Sequence, residues 1–107
     1  MVWKYNEIVP SAPAPGITRR ILARGGMMMG VEAAFLKGAV GSVHTHPHEQ
    51  ISYILSGSFE YEENGVKYVL KAGDSYYVEP NVPHGAVALE DNSVILDMFT
   101  PQRDDFL

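Results

Sequence analysis

From Ile17 onward the chain is cut into short runs rich in β-branched and aromatic residues, each closed by glycine or asparagine turns, and no stretch offers a long amphipathic helix. A chain punctuated in this way folds as strands. With 107 residues, 46% of them hydrophobic, it can bury one core and has no room for a second ordinary domain. The expectation is a small all-β barrel. Strands are expected near 17–23, 28–36, 42–46, 51–55, 58–63, 66–70, 75–78, 85–89 and 93–99. Asn64-Gly65, between FEYEE and VKYVL, reads as a hairpin because both residues tolerate the positive φ of a type I′ turn. Lys71-Ala72-Gly73-Asp74 reads as a second turn. Residues 10–16, PSAPAPG, predict an extended arm without helix. The chain therefore divides into an arm, 1–16, and a barrel, 17–107.

Eight basic against 13 acidic residues give a net charge of -5, which argues against duplex nucleic acid or an anionic membrane as partner. Arg19 and Arg20 are the nearest approach to a basic cluster. The chain has no cysteine, so a metal would be held by nitrogen and oxygen donors only. The start, MVWKYNEIVPSAPAPG, lacks the apolar run of a secretion signal, and no later segment approaches the ~20 apolar residues of a membrane-spanning helix. These features predict a soluble, cytoplasmic protein. Val2, Trp3 and Tyr5, ahead of the arm, would suit packing on a second barrel, and a homodimer is expected.

Three of the four histidines fall within HTHPHEQISYILSG, residues 44–57. Alternate side chains of a strand share a face, so His44 and His46 can converge on one ion, and an amide oxygen can complete such a shell. Pro47 should mark a strand end or a bulge. His48 has matching parity and faces either the site or solvent. Further along, Asp97 interrupts the apolar run VILDMF and should be at least partly buried, which needs either a structural hydrogen bond or a role as acid or base. Phe99 shares its face and could wall a pocket. Arg103 could make a surface ion pair with Asp104 or Asp105, or could grip a substrate carboxylate. Met27, Met28 and Met29 read as strand or core residues, and only one of Tyr76 and Tyr77 should face inward.

Gly38, His44, His46, Gln50 and Gly57 at these spacings resemble the first signature of the cupin superfamily, and Gly73 with PNVPHG resembles the second. HPHEQISYILSG, AGDS, PNVPHG, LDMFTP and RDDFL further resemble the KdgF-type small cupins. Glutamine stands at position 50 where cupins usually have glutamate, and Glu79 and Ala88 stand at the usual proline and asparagine of the second signature. The resemblance implies a double-stranded β-helix, or jelly-roll, holding one divalent metal ion on His44, His46, Gln50 and His84. It implies conversion of 4,5-unsaturated monouronates from pectin or alginate into linear 4-deoxy-5-keto-uronates, with Asp97, Phe99 and Arg103 at active-site positions.

Three imidazoles and an amide would leave the ion its full 2+ charge, which favours polarising a substrate oxygen over oxygen chemistry. Nickel, manganese, iron, cobalt and zinc are all compatible with that set. On this reading the metal binds the uronate carboxylate and an adjacent oxygen, Arg103 helps orient the carboxylate, and Asp97 relays protons. The competing readings are a mononuclear metal dioxygenase and a non-catalytic carbohydrate-binding module.

Overall fold

The computed structural model describes all 107 residues. Ten strands follow in order: β1 Ser11–Ala14, β2 Ile17–Gly25, β3 Met28–Phe35, β4 Val40–His44, β5 Glu49–Ser56, β6 Ser58–Glu63, β7 Val66–Lys71, β8 Ser75–Val78, β9 His84–Ala88 and β10 Ser93–Thr100. They form a six-stranded sheet, β1-β2-β3-β10-β5-β8, and a four-stranded sheet, β4-β9-β6-β7, antiparallel throughout. The two layers close on each other as a jelly roll. The larger sheet buries Ile17, Phe35, Ile54 and Ile95 against Phe59, Tyr61, Ala86 and Ala88 of the smaller one. Phe35 and Phe59 meet edge to face at 5.0 Å across the layers, an arrangement favoured by the aromatic quadrupole. Near the site Met29, Val31 and Phe99 form a smaller cluster.

The turn chemistry acts as expected. Asn64 and Gly65 have φ of 51° and 82° and join β6 to β7. Asp74 donates its amide to the Lys71 carbonyl and accepts the Lys71 amide at its carboxylate, closing the turn at Gly73. Gly57, at φ 73°, lies so close to Ser93 that no side chain would fit.

Two local expectations are corrected. β4 ends at His44, two residues short of the anticipated 46, because the chain leaves the ladder there. The His46 carbonyl is taken instead by the Asn81 amide, at 2.7 Å. PSAPAPG is extended, and Ser11–Ala14 within it forms an unanticipated edge strand paired to β2 of the same chain. Pro13 is tolerated there because an edge strand can spare an amide donor. Ahead of it, Tyr5–Glu7 form one turn of 3-10 helix, and the Tyr5 hydroxyl bonds Glu32 at 2.8 Å. No helix is long and apolar enough to cross a membrane.

Candidate metal centre and substrate cavity

Register builds the site. His44 on β4 pairs directly with His84 on β9, while on the facing sheet Gln50 of β5 lies opposite Phe99 of β10 and Ser52 opposite Asp97. Along β5 the inward positions are Gln50, Ser52 and Ile54. Glu49 therefore points outward, where it accepts a hydrogen bond from Tyr77. Close approach of β4 to β9 depends on Gly85, beside His84: a Cβ there would lie 2.7 Å from the Gly41 carbonyl and 2.9 Å from the Val43 amide.

One ring nitrogen from each of His44, His46 and His84 falls within 4.8 Å of the others. His46, Gln50 and His84 are buried and His44 is exposed, and His44, Gln50 and His84 line an open cavity. His44 donates from Nδ1 to the Ser42 carbonyl at 2.9 Å, and His84 from Nδ1 to the Val82 carbonyl at 2.8 Å. Those bonds fix the tautomer and leave each Nε2 a lone pair. His46 is not on a strand with His44; it reaches the cluster from the loop after β4.

The Gln50 amide is oriented by its other end. Its nitrogen donates to Ser52 Oγ at 2.8 Å and to Asp97 Oδ1 at 3.2 Å, which turns Oε1 towards His46 Nε2, at 2.9 Å, and His84 Nε2, at 3.2 Å. With His84 Nδ1 carrying the proton, its Nε2 and the Gln50 oxygen are two acceptors facing each other. Protonation does not relieve this, because burial lowers the His84 imidazolium to about 4. Burial also lowers that of His46, whose Nδ1 is enclosed without a partner. The Nε2 lone pairs of His44 and His84 converge with the Gln50 oxygen and His46 Nε2, an arrangement that suits a cation, and the residues fit a divalent metal.

Asp97 has the structural hydrogen bonds that its place in an apolar strand called for. It accepts from Ser52 Oγ and Gln50 Nε2, both at Oδ1, and it lines the cavity. Desolvation pushes its carboxyl up to about 6, against the lowering effect of those two bonds. Phe99 is a core residue and also a cavity wall, edge to face with His46 at 5.6 Å. Arg103 is buried and bidentate to Asp105, not Asp104, with Nε and Nη2 at 3.0 and 2.8 Å. The expected ion pair with Asp105 therefore forms with an exposed carboxylate but a buried guanidinium, which lines the cavity and lies 4.1 Å from the centre of the Phe106 ring.

His48 stands outside the histidine cluster, donating from Nε2 to the Gln102 carbonyl and packing against Phe99. Tyr76 faces the cavity and stacks on Tyr61, whereas Tyr77 is exposed. Met29 is core; Met27 and Met28 are exposed. Sequence reasoning missed Ser52, which holds both Gln50 and Asp97. The signal was available: it is a polar residue at the inward parity of Gln50 within an apolar run.

The jelly roll and its convergent donors define a cupin. The Cupin domain family profile matches residues 31–99, and the chain belongs to this family. It is 46% identical over 93 residues to the pectin degradation protein KdgF of Dickeya dadantii (strain 3937), a match covering 86% of this chain and 84% of that protein. The fold superposes on KdgF from Halomonas sp. with a TM-score of 0.95 and 41% identity, covering 100% of this chain and 98% of that one. An RmlC-like cupin from Shewanella frigidimarina NCIMB 400 gives 0.93 and 38%, over 99% and 95% of the two chains.

Proposed function

We propose that this protein converts 4,5-unsaturated monouronates into linear 4-deoxy-5-keto-uronates, as an isomerase-type enzyme of pectin or alginate breakdown. The observation that carries the reading is the convergence of His44, His46 and His84 on the Gln50 oxygen, with the Gln50 amide nitrogen donating to Asp97, at the wall of a cavity of about 430 Å³. Similarity to two KdgF proteins, one of them named for pectin degradation, supplies the substrate class. A single divalent cation on His44, His46, Gln50 and His84 would supply Lewis acidity to a substrate oxygen. Nickel, manganese, iron, cobalt and zinc all suit the donors.

The chain's own residues account for the proton movements. Asp97 Oδ1 is held by two donors, while Oδ2 makes no bond within the protein and is free to exchange a proton. A carboxyl near pKa 6 can take the proton of the anomeric hydroxyl as the bond from C1 to the ring oxygen breaks and return it to C4 as the resulting enolate becomes a ketone. No atom is gained or lost in this sequence. Phe99 walls the site beside His46, and Arg103 attracts the uronate carboxylate.

The test follows the ultraviolet absorbance of a purified unsaturated monouronate. Metal-loaded protein should accelerate its loss over the spontaneous rate, and a chelator should abolish the acceleration. No acceleration with the metal site filled would defeat the reading. We also propose a cytoplasmic homodimer, supported by the exposed apolar side chains Val2, Trp3 and Tyr5. A monomeric mass at micromolar concentration would remove the dimer.

A further inference from the structure

Arg19 occupies β2, partly buried, and lines the same cavity as Asp97 and Arg103. Its guanidinium carbon lies 3.8 Å from the centre of the Phe106 ring, and that of Arg103 lies 4.1 Å from the same ring. The two cations thus share one aromatic support. Their partners differ. Arg103 commits the Nε and Nη2 edge of its fork to Asp105. Arg19 makes no side-chain hydrogen bond and no ion pair, and its Nε is enclosed without an acceptor. Arg20, next in sequence, is by contrast paired with Glu32.

A guanidinium fork matches a carboxylate through two parallel N–H bonds, and an enclosed donor without an acceptor is costly. With its Nε enclosed, Arg19 has its two terminal Nη groups to offer, whereas Arg103 has already used one of its own on Asp105. Neither of the nearby carboxylates supplies the missing acceptor, because Asp105 is held by Arg103 and Asp97 by Ser52 and Gln50. Burial and the neighbouring Arg103 lower the Arg19 pKa, and the Asp105 carboxylate, bonded to Arg103, offsets them only in part. Arg19 and Phe106 also border the groove beneath the amino-terminal segment, so this arginine forms the wall between cavity and groove.

We propose that Arg19 is the residue that receives the substrate carboxylate, with Arg103 lending a second contact, and that this pair makes the cavity selective for sugar acids over neutral sugars. The inference rests on the uronate reading above and adds a specificity determinant to it. It also limits Arg103, whose fork is spent on Asp105, to a contact through its remaining N–H groups.

The test measures binding of galacturonate, a saturated uronate, and of galactose to metal-loaded protein by calorimetry at low salt, beside the kinetics of an unsaturated monouronate. Wild type should bind the acid and not the neutral sugar. Arg19→Gln should weaken galacturonate binding at least tenfold and raise KM with kcat nearly unchanged, at the same metal content and melting temperature. Arg19→Lys, keeping a point charge without the fork, should recover part of the affinity. Galacturonate affinity unchanged in Arg19→Gln overturns the proposal while leaving the linearisation reading intact. A lowered melting temperature, with no recovery in Arg19→Lys, would make Arg19 a structural prop for Phe106 and also overturn it. If wild type neither binds galacturonate nor consumes the unsaturated sugar, the functional reading falls and the proposal falls with it.

Discussion

Ser52 shows how one small side chain sets the chemistry of another. It donates to Asp97 and accepts from Gln50, and its bond lowers a carboxyl that burial raises to about 6. Removing it in Ser52→Ala withdraws that lowering, so the Asp97 pKa rises further and the limb of the pH–rate profile that it governs moves to higher pH. The variant also leaves buried polar groups short of a partner, a loss of about 1–3 kcal/mol in a denaturant melt. Asp97→Asn is the companion change. It should keep the metal and lower kcat by roughly 10²-fold or more, the usual worth of a positioned acid or base; retention of full activity would show that protons travel by another route.

Strand pairing converts these residues into a site. His44 and His84 meet because β4 and β9 pair at those positions, and this close pairing requires residue 85 to have no side chain. Gly85→Ala would set a methyl against backbone atoms, which cannot swing aside as a side-chain tip can. We expect a loss of about 1–3 kcal/mol of stability, the usual cost of overpacking, and weaker metal binding as His84 is displaced relative to His44. Equilibrium unfolding and a metal titration of the same variant check both. A variant with wild-type metal affinity would show that the donors tolerate this displacement.

The two sheets bring donors from β4, its following loop, β5 and β9 to one point, so whatever binds there joins distant parts of the chain and stabilises only the folded form. At a free metal concentration one hundred times Kd the gain is about 2.7 kcal/mol, equivalent to roughly 10 °C or more in melting temperature for a domain of this size. Calorimetry with and without chelator should read that difference, and identical melts would argue against ligation by the cluster. Much of this architecture was legible beforehand. Short β-branched and aromatic runs between turns identified nine of the ten strands, Asn64-Gly65 and Gly73 located turns, and signature spacing singled out His44, His46, Gln50 and His84. Local backbone preference and side-chain alternation are written into consecutive residues, and a linear reading recovers them. Other features depend on which strands become neighbours. His46 left its strand because Asn81, far along the chain, captured its carbonyl. Ser11–Ala14 became a strand because β2 offered an edge. Arg103 proved buried and bound to Asp105, while Arg19 came to share Phe106 with it across more than eighty residues of sequence. Burial, pKa and the lack of a partner are properties of assembled surroundings, and no short window of residues contains them.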